Sequence, residues 1–338
     1  MFRRPSPNGC PECVVERVAL AARQAGRGPP AAPDSNPGSV ALFDWLKRIG
    51  GSSGHREPSG SRTVEQLATL LGMPVASLGG FEPAYREFEL AKRSGRVRRI
   101  AAPDRGTRDL QRTIARRLLS VPEAHPDALG FVRGRSALDH AARHSGMEVV
   151  VRMDLEDFFG STSASRVMAF FRETWDKDAT ELLLRLTTFK GALPQGAPTS
   201  PPLSNLVNGR LDLRLAGFAR RRGAIYSRYA DDITFSLPVN DGRLVSDLIR
   251  LTKAVVADDG YRLHLRRKLH VRRRHQRQLV SGLVVNEWPR LPRERRRWLR
   301  AVEHRLATGK QSSLGPDQLA GWRAYRHSVE APRSPDAR

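Results

Sequence analysis

A pair of adjacent acids, Asp231-Asp232, set between two short runs of strand-forming residues, constrains this chain more than any other feature. Ala224-Ile225-Tyr226-Ser227 comes before Tyr229-Ala230-Asp231-Asp232, and Ile233-Thr234-Phe235-Ser236-Leu237 comes after. Both runs are rich in β-branched or aromatic residues, so the segment reads as a hairpin with carboxylates at its tip. Turn chemistry alone also places Asp pairs at such tips. A third acid, Asp154, closes another apolar strand, Val149-Val150-Val151-Arg152-Met153. Acids at the ends of separate strands can converge in one sheet and hold two divalent cations, the arrangement that in-line phosphoryl transfer requires.

The 338 residues suffice for a substantial core and more than one domain. Lys and Arg number 58 against 35 acids, a formal charge of +23, which points to a polyanionic partner and above all to nucleic acid. The preponderance of Arg suits bidentate phosphate contacts and equally suits a GC-rich genome. No apolar run approaches the ~18 residues of a membrane helix, and no signal-peptide core follows the N-terminal arginines. A cytoplasmic protein without membrane contact is expected. Cys10 and Cys13 form a single Cys-Pro-Glu-Cys with no second pair to complete a four-ligand zinc site. They read as non-functional or, at most, as an intermolecular metal clip.

Residues 1–61 are rich in Gly, Pro, Ser and Ala and read as a poorly ordered leader. Thr63 and Gln66 make a capping box before a helix that Gly72 stops. Residues 88–101 read as a hairpin turning at Gly95 with cations on both arms, either an aggregation-blocking edge or a phosphate-gripping flap. A helix is expected over Leu110–Leu119, and another over Ser136–His144 with His140 and His144 on one face. That pair lacks the Glu of a metalloprotease helix, so structural or RNA-contacting roles fit better. Leu279–Asn286 reads as a further strand with a central glycine. Beyond it, Arg293, Arg295, Arg296, Arg297, Arg300 and Arg305 share a helix with Trp298, Val302 and Leu306, one stripe packing inward and the other meeting a phosphate backbone.

Between the acids lies Leu193-Pro194-Gln195-Gly196-Ala197-Pro198-Thr199-Ser200-Pro201, leading into a helix with Ser200 as N-cap and Pro201 at the first turn. Gly196 removes side-chain bulk where a backbone approaches something closely, and Gln195 adds an amide beside it. The aspartate strand, this Leu-Pro-Gln-Gly element and the Tyr-Ala-Asp-Asp box together resemble a reverse transcriptase. Arg228 before the box and Thr234-Phe235-Ser236 after it resemble the bacterial retron type. So do Gly130-Phe131, Gly134, Ser136, Ala141 and His144, although His140 stands where that type has Asn. Val280-Ser281-Gly282 is similar to the retron Val-Thr-Gly triplet. The resemblance covers about Thr63 to Tyr325.

The resemblance implies that Asp154, Asp231 and Asp232 are the catalytic acids around two Mg²⁺ ions. Asp154 and Asp231 act as ligands, the Leu155 carbonyl is a further oxygen for the metal, and Asp232 is counted among the metal-site acids while supporting local charge and geometry. It implies that Phe159 packs under the sugar and rejects a 2′-hydroxyl, with an ordinary core Phe as the other reading; Phe158 better fits that core role. Gln195, Gly196 and Tyr229 line the nucleotide and template site, and Lys92 and Arg98 clamp the deoxynucleoside triphosphate. Arg267 stands where a lysine proton donor is usual, with Lys268 one residue later. His144, Arg293, Arg296, Arg297 and Arg300 are the residues expected to meet RNA.

The implied fold is α+β, a right-hand polymerase: fingers and a retron-specific region over 62–148, a ferredoxin-like split βαβ palm over 149–285, and a small basic helical thumb over 286–338. The implied function is synthesis of DNA from a cognate structured non-coding RNA (msr-msd), starting from a 2′-hydroxyl and giving an RNA–DNA hybrid molecule (msDNA). An anti-phage role with a separate effector protein is implied as well. Alternatives are a group II intron-like or diversity-generating reverse transcriptase, or a catalytically silent RNA-binding scaffold.

Overall fold

The computed structural model describes residues 61–91, 97–120, 123–264 and 269–330. The leader with Cys10 and Cys13, the basic hairpin's tip with Lys92 and Gly95, and the Arg267-Lys268 pair lie outside the described residues. The described residues from Arg62 onward belong to one compact unit.

The chain opens with α1 (Val64–Leu71), where the Thr63 side chain accepts from the Gln66 N–H and the Gln66 side chain accepts from the Thr63 N–H. Gly72, at φ 69°, ends it in the left-handed region that a Cβ disfavours. After α2 (Val75–Gly79), β1 (Tyr85–Ala91) and β2 (Val97–Pro103) pair antiparallel from Tyr85↔Pro103 to Ala91↔Val97. Helix α3 (Arg105–Arg117) starts earlier than its apolar run, because the Asp104 carboxylate caps the Thr107 N–H. Helix α4 (Ala137–Arg143) follows a Ser136–Asp139 capping box.

The centre of the molecule is built from β3 (Val149–Asp154), then α5 (Ala164–Arg172), α6 (Lys177–Thr187), α7 (Ser200–Val207) and α8 (Gly209–Arg221), then the hairpin β4 (Ile225–Tyr229) and β5 (Asp232–Leu237), and finally α9 (Gly242–Asp258) and β6 (His270–Arg273). The strands form one antiparallel sheet in the order β4-β5-β3-β6. Numbered within the sheet this is 2-3-1-4 with helical crossovers after the first and third strands, the ferredoxin-like split βαβ arrangement expected from the sequence. Val149, Val150, Val151 and Met153 are buried along β3, and Ile233, Phe235 and Leu237 along β5. An apolar run on a central strand is what two covered faces demand.

Among the described residues, one apolar cluster joins helices to one another and another reaches the sheet. Leu67, Leu110, Ile114, Leu183, Leu186 and Leu203 unite α1, α3, α6 and α7. Val150 joins Leu138, Leu283, Leu299, Val302 and Leu319 in the other, which holds α10 (Arg293–Ala307) and α11 (Pro316–Glu330) against the sheet. Each such buried Leu or Val contributes roughly 1.5–3 kcal/mol.

Two local expectations are corrected. Residues 279–286 do not form one strand: β7 (Leu279–Val280) and β8 (Leu283–Val284) pair back on each other. Ser281 at φ 46° and Gly282 at φ 80° reverse the chain, the pair of positive angles a two-residue hairpin turn uses. Thr199, not Ser200, occupies the N-cap of α7, while the Ser200 hydroxyl donates to the Pro194 carbonyl at 2.7 Å and closes the Leu-Pro-Gln-Gly loop.

Candidate active site

The three acids meet at one end of the sheet. Asp154, last in β3, lies directly opposite Asp232, first in β5. The Leu155 N–H donates to the Asp231 carbonyl at 2.9 Å, and the His264 N–H to the Asp154 carbonyl at 2.9 Å. Backbone pairing thus fixes Asp154 against the hairpin tip, and all three acids are half-buried.

The tip itself is strained and braced. Ala230 sits at φ 58°, a conformation uncommon for any residue with a side chain. Behind it runs the 127–130 segment, where Arg228 N–H donates to the Asp127 carbonyl and Leu129 N–H to the Arg228 carbonyl, both at 2.8 Å. A Cβ on Gly130 would lie 2.4 Å from the Ala230 nitrogen, so only glycine allows this approach. Arg228, fully buried, forks onto Asp212 at 2.8 and 2.6 Å and donates to the Ala230 carbonyl at 3.0 Å. Burial opposes its charge, but Asp212 more than offsets this and the guanidinium pKa is raised. Tyr226 also donates to Asp212, at 2.7 Å, so the fork is held from two sides.

Asp232 is held by Arg152. Its Oδ1 accepts from Arg152 Nε at 3.3 Å and its Oδ2 pairs with the other end of the same guanidinium. Burial raises the Asp232 pKa, Arg152 opposes the shift, and the neighbouring Asp154 and Asp231 add to it. Both oxygens of Asp232 face Arg152, which balances the Asp232 charge in this arrangement. Among the described residues no group of three or more His, Cys, Asp or Glu side chains forms a metal cage by itself. Asp154, Asp231 and the Leu155 backbone remain as a partial, all-oxygen donor set. Such a set fits a hard divalent cation that keeps positions for water and substrate phosphates.

On the other side of the hairpin, His140 stacks on Tyr229 with centroids 5.5 Å apart and meets His144 edge-on at the same distance. His140 Nδ1 lies 2.8 Å from the Ser281 hydroxyl. His144 is fully buried, with Nδ1 2.7 Å from Ser236 Oγ and Nε2 2.7 Å from Ser227 Oγ. No RNA can reach it, which corrects the expectation of an RNA contact: His144 ties β4 and β5 together from behind. Burial first, then the nearby Arg152 and Arg143, lowers the His140 pKa to about 3, and burial holds His144 well below its usual range.

The remaining expected residues surround this centre. Phe159 is half-buried, 5.4 Å from Phe158 and 5.9 Å from Phe131, while Phe158 is buried against Tyr261. The Gln195 carbonyl accepts from the Ala101 N–H at 3.0 Å, docking the Leu-Pro-Gln-Gly loop on β2. Gly196 has φ 132°, and a Cβ there would lie 2.9 Å from the Ala101 carbonyl oxygen, so the close approach it permits is to the basic hairpin. Arg98 is exposed on β2, opposite Leu90. Arg293, Arg297 and Arg300 are exposed on α10, and Arg296 is half-buried.

Sequence reasoning passed over Arg152, Asp212, Gly130 and Phe131 as working parts. Arg152 carried a signal, since two residues before Asp154 on a strand means the same face. Phe131 combines φ 64° with 46 % exposure beside Phe159, a pairing visible only in three dimensions.

Residues 90–271 match the family model described as reverse transcriptase (RNA-dependent DNA polymerase). The chain is 36 % identical to the retron Mx162 reverse transcriptase of Myxococcus xanthus, covering 79 % of this chain and 64 % of that protein. It is 32 % identical to the retron Ec86 reverse transcriptase of Escherichia coli, over 73 % of this chain and 77 % of the relative. A solved telomerase from Candida albicans overlays with a TM-score of 0.48 at 11 % identity, covering 68 % of this chain and 49 % of that one.

Proposed function

This chain belongs to the reverse transcriptase family, and from that premise we propose that it copies a structured RNA into DNA, as a reverse transcriptase of the retron type. The observation that carries the reading is the backbone register that sets Asp154 opposite Asp232 and pins Asp231 to Leu155. Three acids from distant parts of the chain share one sheet end, braced by buried ion pairs.

Asp154 and Asp231 hold the metal, taken to be two Mg²⁺ ions, with the Leu155 carbonyl as a further oxygen. When bound, such a pair lowers the pKa of the primer hydroxyl and neutralises charge on the pyrophosphate leaving group. Asp232 keeps Arg152 in place and so limits the positive charge within the acid cluster. The Gly196 loop and β2, docked together through Ala101, form the wall along which the deoxynucleoside triphosphate lies, with Gln195, Tyr229 and the cations Lys92 and Arg98 around it. Phe159, backed by Phe158, closes the space under the sugar, where a 2′-hydroxyl would collide. A proton for the pyrophosphate comes from Arg267 or Lys268. Arg293, Arg296, Arg297 and Arg300 meet RNA phosphates.

The retron reading includes a cognate non-coding RNA, a 2′-hydroxyl start, an RNA–DNA hybrid product, and an anti-phage role in the cytoplasm beside a separate effector. Its support is the resemblance in the motifs and the retron relatives. Among the described residues no helix is long and apolar enough to cross a membrane. The test is to extract nucleic acid from the purified protein and examine it for DNA joined to RNA through a 2′ linkage, alongside RNA-templated primer extension with Mg²⁺ and deoxynucleotides. Extension with a 2′-linked product is expected. Extension without any such linkage removes the retron assignment, and RNA binding without extension removes the polymerase.

A further inference from the structure

Phe131 holds a conformation that an aromatic residue adopts only under strain. Its φ of 64° lies in the left-handed region, uncommon for any residue with a bulky side chain. Deep burial of the ring would offset that strain, yet the residue is 46 % exposed. The backbone before it has little freedom to relax. The Leu129 N–H donates to the Arg228 carbonyl at 2.8 Å, which ties the segment to β4. The Gly130 carbonyl accepts from Asn205 Nδ2 at 2.7 Å, which ties it to α7. Gly130 also lies so close to the hairpin tip that a Cβ would meet the Ala230 nitrogen at 2.4 Å. A strand, a helix and the acid-bearing tip therefore set where Phe131 starts. Strain that the surroundings over-determine in this way clusters at working positions.

The ring is delivered to Phe159. The two centroids are 5.9 Å apart at an interplanar angle of 35°, within the range of an attractive aromatic pair. Phe159 meets Phe158 at 5.4 Å, and among the described residues these two rings are its aromatic neighbours. Phe158 is buried, stacks on Tyr261 and has the Arg228 guanidinium 5.6 Å from its ring centre, so it is fixed from the core. Phe159 is only half-buried, and a phenyl ring with open space beside it can change rotamer. Of its two aromatic neighbours Phe158 is buried and Phe131 exposed, so Phe131 is the one that limits movement toward solvent.

We propose that Phe131 is a positioning residue for sugar discrimination: seated on the hairpin tip through Gly130, it holds the Phe159 ring in the rotamer that meets the 2′ position of the incoming nucleotide. This rests on Phe159 being the ring under the sugar, as set out above. Phe131 acts through Phe159 and does not itself discriminate. The Gly130 contact that seats Phe131 also presses on the peptide leading to Asp231, so gate and acids share one brace.

Phe131→Ala, Phe159→Ala and the double variant are compared with the native protein in primer extension on an RNA template, using cytidine and deoxycytidine triphosphates. Phe131→Ala is expected to raise the ratio of ribonucleotide to deoxynucleotide kcat/KM about threefold to tenfold, the size of a lost aromatic pair. The double variant is expected to match Phe159→Ala alone, because a ring that acts through another adds nothing once the other is gone. Phe131→Tyr keeps the ring and is expected to restore the native ratio. Phe131→Asn, a residue that accepts left-handed backbone, gives the same reading where Phe131→Ala fails to fold, with melting temperature as the control. A purely structural role lowers kcat/KM for both nucleotides alike; a ratio unmoved by Phe131→Ala but relaxed by Phe159→Ala overturns the proposal and leaves the gate standing. Effects that multiply in the double variant, or relaxation by Phe131→Ala without any by Phe159→Ala, give Phe131 a sugar contact of its own and overturn the positioning role. An unchanged ratio in all three variants removes the gate and the proposal together.

Discussion

Arg152 and Asp232, 80 residues apart in the chain, share a two-pronged ion pair at the edge of the acid cluster. The guanidinium sits on the strand that ends in Asp154, and the carboxylate opens the strand that follows Asp231. One cation thus connects the two strands that deliver the acids.

Removing that cation leaves burial to act on Asp232 unopposed. Its pKa, already raised, climbs further, so the carboxylate takes a proton at a higher pH than in the native protein. Arg152→Gln is expected to lower synthesis by about tenfold to a hundredfold near neutral pH, the size of a lost charge-assisted contact. The acid limb of its pH–rate profile moves upward, and Arg152→Lys restores part of the loss. A uniform fall at every pH, with no movement of that limb, would show that Arg152 serves folding alone.

Asp231→Asn is expected to abolish synthesis and leave RNA affinity nearly unchanged, since RNA contacts are assigned to α10. The Asp231 carbonyl, which the substitution keeps, makes the bond to Leu155. Filter binding and a thermal melt separate the outcomes. A protein that no longer folds would make the acid structural and remove it from the metal site.

Phe159→Ala is expected to relax discrimination against ribonucleotides by about tenfold or more, because the ring's bulk is what would oppose a 2′-hydroxyl. Phe158 and Phe131 flank the ring and keep its place from collapsing. Competing ribo- and deoxynucleotides in single-turnover extension measure the ratio. An unchanged ratio rejects the gate and turns attention to Phe131.

How far these parts could be read from the chain depends on the distance over which each signal acts. The Asp231-Asp232 hairpin and the Val149–Met153 strand were legible because alternation, strand propensity and their acids are local. The Leu279–Asn286 stretch misled because its apolar residues carry the strand signal, while two left-handed residues, Ser281 and Gly282, decide the turn. Burial of His144 was illegible: its partners Ser227 and Ser236 lie 83 and 92 residues away, and a histidine on a helix face looks the same whether water or a serine waits for it. Asp212 was hidden for the same reason, an acid among leucines and arginines on α8 whose buried partner Arg228 comes from the next strand.

The two buried histidines make stability depend on acid. Both are held neutral in the folded chain; for His140, lowered to about 3, the unfolded chain binds between about 6.5 and 3 a proton that the folded chain refuses, and burial pushes His144 in the same direction. Stability is full above the unfolded value and falls as pH drops through that window, by about 1.4 kcal/mol per pH unit for His140, with His144 acting in the same direction. Urea unfolding at pH 7 and at pH 5.5 measures the slope. His140→Asn removes one titrating group and is expected to lower that slope; an unchanged slope would place the acid sensitivity elsewhere.

Gly130→Ala probes whether the hairpin tip tolerates any displacement. The new methyl group would press on the Ala230 nitrogen and the Tyr229 backbone, neither of which can swing aside as a flexible side chain would. The tip is also tied from the opposite side, because Arg228 is locked to Asp212 while holding the Ala230 carbonyl. Relief therefore falls on the peptide that carries Asp231. A shift of about 1 Å in such a centre costs on the order of a hundredfold in rate. The expected result is a loss of that size in the rate of extension at saturating nucleotide, with RNA affinity retained because α10 is untouched. Native-like extension by Gly130→Ala would mean that the tip moves freely, and the rigid convergence of Asp154 with Asp231 would then lose its mechanical basis.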